Sequence, residues 1–299
     1  MEHISSCCSL RQEDIYNMNR RSFIERGTVL AALLSPLGSW GLKNKKTSVR
    51  LLRHATLLIE INGIRFLVDP MLSAKDSMDP VKNAGNETRI PMVDLPLTSD
   101  AIDKIISGVD AVILTHTHRD HWDAVAQKII PKDKPLFIQP ADEEAIRKQG
   151  FEKINPVSTT AEFKGIQLTR TGGQHGFGEI GLRMGTVSGF IIADGNTKIY
   201  VAGDTVWCTE VEQALQVHQP GWVIVNAGEA KFLQGGPITM GVNDIIQVDK
   251  AAPKSKIIAV HMDTINHCLL TRTELKRALN ETGIQKKVII PEDGVLIEI

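Results

Sequence analysis

Apolar residues recur at every second position in some stretches of this chain and at helical spacing in others, and the two rhythms take turns. Residues 49–53, 56–61 and 64–68 are β-branched or Leu-rich and of strand length, and Asn62-Gly63 between the last two is a hairpin signal. The fold therefore opens with a meander. It ends at Val68-Asp69-Pro70, because proline cannot donate to a ladder, and Asp69 is left at a strand end. Residues 71–98 hold no sustained period and include Pro80, Pro91 and Pro96, so they read as a long irregular loop. Loops of this length in compact domains are usually functional, which makes this one the expected wall of a cleft.

Residues 100–107 follow the cap signal Thr98-Ser99 at helical spacing and lead into the apolar run Ala111-Val112-Ile113-Leu114. Residues 122–130 return to helical spacing and stop at Pro131, which places His121 at a helix start. A buried strand at 136–138, a helix at 141–149 closed by Gly150, and a half-buried strand at 163–171 follow. In the second half, 187–193 and 198–202 predict a hairpin about Asp194-Gly195-Asn196. Then come a helix at 210–217, a buried strand at 222–225, a helix at 242–250 ahead of Pro253, and a continuous apolar strand at 256–260. A helix at 271–282 stops at Gly283, and 288–290 and 295–297 are expected to meet across a Glu292-Asp293-Gly294 turn. Strands grouped at the start of each half, with helices interspersed, predict an α/β (α+β) fold: two sheets packed face to face with helices outside. Such a core suits about 250 residues as a single domain, here residues 48–299.

Composition narrows the function before any motif does. The chain has 299 residues, 42% hydrophobic and 23% charged, enough to bury a substantial core. Lys plus Arg total 34 against 35 Asp plus Glu, so no global field recruits nucleic acid or anionic lipid, and no nucleic-acid partner is expected. The four Cys, at 7, 8, 208 and 268, make neither a disulfide framework nor a Cys-x-x-Cys zinc pattern.

Chemistry concentrates in Thr115-His116-Thr117-His118-Arg119-Asp120-His121, directly after the apolar run. A buried strand thus delivers three imidazoles and a carboxylate to its exposed C-terminal end. A packed core can absorb one hydrogen-bonded His and a solvated loop can carry two, but neither needs this set. Imidazole is the commonest metal ligand, so a metal site is the direct reading. Further candidates stand at other strand ends: His175 among glycines in Thr171-Gly172-Gly173-Gln174-His175, Asp204 after Gly203, and His261 after the 256–260 strand. Five neutral nitrogens and two carboxylates suit Zn²⁺, while Mn²⁺ or Fe²⁺ can take the same N/O set.

The pattern His-x-His-x-Asp-His, followed in order by His175, Asp204 and His261 and preceded by Asp69, resembles the metallo-β-lactamase superfamily over residues 48–299. That resemblance implies a four-layer αββα sandwich with a two-metal site along one edge. It implies that His116, His118 and His175 hold one ion, that Asp120, His121 and His261 hold the second, and that Asp204 bridges both. A hydroxide shared by the ions would be the nucleophile for an ester, lactone, amide or phosphodiester. Asp120 is then a catalytic candidate for proton delivery, and Asp69 is expected to orient the ligand loops. His118 stands where a Glu marks the di-iron oxygen- or nitric-oxide-reducing branch, and no inserted second domain of a nuclease type is present. Arg53-His54-Ala55-Thr56 before Asp69-Pro70 resembles the branch that includes the UlaG-like lactonases, which suggests His54 as a substrate contact. A strand His with a local hydrogen bond is the competing reading. Glu229, at the end of Asn226-Ala227-Gly228-Glu229, and His267 are further candidate residues for a small-molecule substrate. A non-catalytic, metal-binding sensor or assembly protein on the same fold is the alternative, and a complete ligand set favours the enzyme.

The N-terminal 47 residues read as an extension. Arg20-Arg21 before Phe23-Ile24 and the apolar stretch 28–37 resemble a Tat export signal at 19–40, with Met18 as the expected start of translation. The Tat translocase is then a partner during export and the periplasm the destination. An ordinary N-terminal helix on a cytoplasmic protein is the competing reading.

Overall fold

A computed structural model of the chain describes residues 47–299, so the reading of residues 19–40 as an export signal falls outside the described residues. The opening meander forms as the Asn62-Gly63 signal requires. β1 (Ser48–Arg53), β2 (Thr56–Ile61) and β3 (Ile64–Val68) pair antiparallel, with Asn62 and Gly63 both at positive φ in the two-residue turn. β4 (Ala111–Ile113), β5 (Leu136–Ile138) and β6 (Ile154–Pro156) extend the sheet in parallel from β3. The second sheet is antiparallel over β7 (Thr160–Phe163), β8 (Ile166–Thr171), β9 (Gly189–Ala193) and β10 (Lys198–Val201). It becomes parallel over β11 (Trp222–Asn226), β12 (Lys256–Val260) and β13 (Val288–Ile289).

Alternation along the strands sorts side chains between layers. Val49, Leu51, Ile59, Phe190, Ile192, Ile224 and Ile258 meet between the sheets. Their neighbours on the opposite faces pack under helices. α1 (Ser99–Gly108), α2 (Ala124–Ile129) and α3 (Glu143–Lys148) bring Ile106, Ala126 and Ile146 onto Val112, Leu136 and Ile138 of the first sheet. α5 (Thr209–His218), α6 (Val242–Ala251) and α7 (Arg272–Thr282) bring Val211, Ile245 and Leu275 onto Tyr200, Val223 and Ala259 of the second. The layers are α, β, β, α. Strands covered on both faces must be apolar throughout, which is why 257–260, after the exposed Lys256, is a continuous run and not an alternating one. At about 1.5–3 kcal/mol per buried aliphatic side chain, these three clusters dominate the favourable side of folding.

Several local expectations are corrected. Residues 163–171 are not one strand: the chain reverses at Lys164-Gly165, φ 52° and 80°, and β7 pairs with β8. Lysine is a poor occupant of a left-handed position, so this turn carries no strong sequence signal. The edge strand β6 holds a proline, and the six-residue helix α4 (Glu179–Met184) lies between Gly178 and Gly185, so neither shows a sustained period. β13 and β14 (Leu296–Glu298) do not pair across the 292–294 turn. β14 joins β1 in the first sheet, and the turn carries the chain from one sheet to the other, held by the Gly294 amide on the Leu51 carbonyl at 2.7 Å. Strand partners are a long-range choice that turn residues do not encode. His121 is also not at a helix start: α2 begins at Ala124, capped by the Asp123 carboxylate on the Ala126 amide at 2.7 Å.

The 71–98 loop is anchored through the interior. The fully buried Arg53 guanidinium donates to the carbonyls of Met71 (3.0 Å), Ser73 (2.8 Å) and Val93 (3.2 Å), and Thr56 Oγ1 accepts from the Met71 amide at 2.9 Å. Burial lowers the Arg53 pKa to about 10, which leaves the cation intact at neutral pH.

Candidate metal centre

Every candidate ligand follows the C-terminal end of a strand, and within each sheet those strands run the same way. In the first sheet β1 delivers His54, β3 delivers Asp69, and β4 delivers the turn from Thr115 to His121. In the second sheet β8 leads to His175, β10 to Asp204, and β12 to His261. Close approach of the two edges needs glycine at one point. Gly203 has φ 72°, and a Cβ there would lie 2.6 Å from the Ser188 carbonyl oxygen and 3.1 Å from Thr115 Cβ.

The side chains converge in three overlapping groups whose donor atoms lie within 4.8 Å of one another: His116, His118 and His175; His54, Asp120, His121 and His261; and His116, His121 and Asp204. His118 Nδ1 stands 3.1 Å from His116 Nε2 and 3.3 Å from His175 Nε2, and His121 and His261 face each other through Nε2 at 3.3 Å. Asp204 lies between the groups, with Oδ2 3.2 Å from His121 Nε2 and 3.6 Å from His175 Nε2, and Oδ1 3.3 Å from His261 Nε2. Donors around a tetrahedral ion with bonds of ~2.1 Å would stand about 3.4 Å apart, so these spacings suit shared cations.

Outer partners assign the tautomers. Asp69 accepts from the Thr115 amide at 2.8 Å and from the Thr115 hydroxyl at 2.6 Å. With its proton committed, the hydroxyl oxygen accepts from His116 Nδ1 at 3.0 Å. Asp69 Oδ2 also accepts a hydrogen bond from His121 Nδ1 at 2.9 Å, and the Ile238 carbonyl accepts one from His175 Nδ1 at 2.8 Å. Each of these rings therefore turns its Nε2 inward. Once a cation displaces the protons that Asp120 and Asp204 hold on His121 and His261, these nitrogens and two carboxylates are the donor chemistry of a cation site, and the residues fit the divalent metal that the sequence pattern implies. Asn226 completes the frame by donating to Asp204 Oδ1 at 2.6 Å.

Charge is distributed to match. Burial opposes ionisation of Asp120 and Asp204, but His121 and its neighbours outweigh it and hold both carboxyls well below the usual range. Burial likewise opposes a charged His121, yet Asp204 and Asp120 push its pKa up to about 10; His261 is raised in the same way. His116 and His175 are lowered chiefly by burial, with the neighbouring imidazoles adding to the effect on His116.

The 71–98 loop forms a wall of the cleft above this cluster, as its length suggested. Asp79, Val81 and Lys82 from that loop share a cavity of about 510 Å³ with His118, Asp120, His175, Asp204 and His267. Two expectations about substrate residues change. His54 is fully buried, with its ring 3.6 Å from that of His261 and Nε2 3.4 Å from Asp120 Oδ2, so it sits behind the ligands and not against a substrate. Glu229 does not line this cleft: it lines a separate depression with Leu270 and Arg277, its carboxylate lying against Gly241. His267 does line the cleft. Sequence reading passed over Thr115, Cys268, whose Sγ lies 3.5 Å from His261 Nδ1, and the Ile238 carbonyl. Only Thr115, immediately before the first His, carried a positional signal.

The sequence profile of the Beta-lactamase superfamily domain matches residues 48–261. The UPF0173 protein YddR of Bacillus subtilis is 41% identical over 247 residues, covering 81% of this chain and 96% of that protein. Two crystal structures are similar throughout the described domain. One, a possible metal-dependent hydrolase from Veillonella parvula, has a TM-score of 0.81 at 39% identity over 85% of this chain and 100% of its own. The other, an isothiocyanate hydrolase from Delia radicum gut bacteria, has a TM-score of 0.79 at 38% identity over 84% of this chain and 99% of its own. The chain belongs to the β-lactamase superfamily, as a metal-dependent hydrolase of the UPF0173 group.

Proposed function

We propose that the protein hydrolyses a small compound with an electrophilic carbon, isothiocyanates being the first substrate class. The observation that carries this is the convergence of inward imidazole nitrogens and two ionised carboxylates on the floor of the cleft. The 38% identical isothiocyanate hydrolase supports the choice of class. In this reading His116, His118 and His175 hold one divalent ion, Asp120, His121 and His261 a second with His54 as an added donor, and Asp204 reaches both. Zn²⁺ suits the nitrogen-rich set, and Mn²⁺ or Fe²⁺ are the competing occupants. When bound, such ions acidify water and draw electron density from the carbon under attack.

The chain's own groups supply the rest. Asp69, through Thr115, keeps the His116 and His121 rings in register. Asp120 borders both His54 and the open cleft, which places its carboxylate to hold a proton and pass it to the substrate nitrogen. Val81, Met184, Phe232 and Ile238 offer an apolar wall to the organic substituent. Water adds across the C=N bond of R–N=C=S, and the thiocarbamate formed splits to R–NH₂ and carbonyl sulfide, consuming one water and no oxidant.

A second reading has its own support. Lys82, Arg119 and Arg183 border the cleft, and among the described residues none of them is ion-paired with a carboxylate. An ester, lactone or phosphodiester with an anionic substituent would meet those cations, and the UlaG-like opening at His54 keeps lactones in view. We also infer export to the periplasm through the Tat translocase, on the strength of Arg20-Arg21 and the apolar stretch after them.

The test is turnover by purified protein loaded with Zn²⁺, Mn²⁺ or Fe²⁺. Benzyl isothiocyanate should be consumed with release of benzylamine, chelation should stop it, and Asp120→Ala should lower the rate about 10²–10⁴-fold with the fold intact. Faster turnover of an anionic lactone or phosphodiester would favour the second reading, and an inert loaded protein would end both.

A further inference from the structure

His267 belongs to none of the three groups of converging donor atoms, yet it lines the cleft beside them. The residue is only 6% exposed, lines the cavity beside His118, Asp120 and His175, and its Nδ1 is buried without a hydrogen-bond partner. Its ring makes a tilted contact with Phe232, centroids 5.5 Å apart, and no polar one among the described residues. Buried polar groups are almost always paired, and one left unpaired costs stability; with Nδ1 closed off by protein, the unpaired Nε2 edge of the ring is the one open to a partner that is not part of the fold.

The backbone around it is built to keep the ring in place. Asn266 clamps the 71–98 loop: its side chain accepts from the Val81 amide at 2.9 Å and donates to the Val81 and Asn86 carbonyls at 3.1 and 2.8 Å. The His267 carbonyl accepts from the Lys231 amide at 2.9 Å, and Cys268 bridges to Ala230. The imidazole is thus fixed between the two loops that frame the cleft, where a donor needs no reorganisation to meet a ligand.

We propose that His267 is a substrate-binding group whose neutral imidazole donates a hydrogen bond to the heteroatom on which charge develops when the electrophilic carbon is attacked. For an isothiocyanate that atom is nitrogen or sulfur; for an ester or lactone it is oxygen. Burial lowers the ring's pKa to about 4, against the pull of Asp120, so it stays neutral and keeps one N–H through the physiological range. The inference rests on the hydrolase reading of the same cleft, and the test separates the two.

The experiment uses full-length protein loaded with Co²⁺ and titrated with thiocyanate, an anion that offers the same nitrogen and sulfur atoms, with binding read from the cobalt absorption bands. His267→Phe should weaken thiocyanate about 10-fold, equivalent to about 1.4 kcal/mol. Cobalt content should be unchanged and the melting temperature no lower, since an unpaired polar group is being replaced by an apolar ring. His267→Asn or His267→Gln, which return an amide N–H near Nδ1 or Nε2, should restore part of the affinity. In steady state the Phe variant should lose kcat with cobalt occupancy intact. Unchanged thiocyanate affinity in His267→Phe would overturn the proposal, and so would a loss of cobalt, which would make His267 a support of the ligands. If the wild-type protein turns over none of the candidate substrates while thiocyanate still depends on His267, the hydrolase reading fails and the binding role stands.

Discussion

His54 and His261 are joined back to back: the His261 amide donates to the His54 carbonyl at 3.0 Å, and their ring centroids lie 3.6 Å apart. Both adopt left-handed backbone, φ 60° and 67°, a conformation that costs a non-glycine residue about 1–2 kcal/mol. The pairing ties the end of β1 in one sheet to the end of β12 in the other at the floor of the site.

That geometry predicts an effect of His54 on one metal and not both. His54→Asn, chosen because asparagine tolerates left-handed backbone, should lower the affinity of one ion about 10–100-fold and leave the other in place. Metal content after dialysis against a weak chelator reads this directly. Equal retention of both ions would reduce His54 to a packing residue.

Asp69 never enters the cleft, yet it holds Thr115 and His121 together. Asp69→Asn keeps the shape but loses an acceptor and the charge that steadies the His121 proton. Metal affinity should fall about 10–100-fold. Stability should fall by about 1–3 kcal/mol, measured by urea unfolding of the metal-free protein. A variant that unfolds like wild type and binds metal like wild type would remove Asp69 from the ligand framework.

Metal loading should release protons. In the metal-free cluster Asp204 and Asp120 keep His121 protonated up to about pH 10, and His261 is held on the protonated side too. A cation must displace those protons, so apparent metal affinity should rise as pH rises from 6 towards 9, because the proton competitor is lost in that direction. Calorimetry at pH 7 in buffers of different ionisation enthalpy should show net proton release. An affinity independent of pH would mean that these rings are already neutral.

Export is tested at the twin arginines. On the proposed Tat reading, replacing Arg20 and Arg21 with Lys should retain the protein in the cytoplasm with unchanged activity, because a twin-arginine signal is an address read by the translocase. Fractionation checks it, and continued export of the variant would leave 19–40 as an ordinary N-terminal segment.

Much of the site was legible because its ligands sit where strands end. An apolar run followed at once by His116, His118, Asp120 and His121 announces both a strand and what it delivers, and His175, Asp204 and His261 repeat the arrangement. Glu229 shares that position and still points elsewhere, its carboxylate lying against Gly241 at the start of α6, a placement no local pattern contains. The Lys164-Gly165 reversal was hidden for a related reason, a left-handed lysine that the sheet imposes on an unwilling residue.

By itself the sequence determined the layers, the strands of the meander and the β12 run, and the identity of the residues that converge, since periodicity and residue chemistry are local properties. Only the tertiary structure decided that β13 and β14 part to different sheets, that His54 lies behind Asp120 instead of facing a substrate, and that His267 stands buried in the cleft without a partner. Those outcomes depend on which distant surfaces exclude water together, and a contact between residues some two hundred positions apart leaves no trace in the neighbourhood of either.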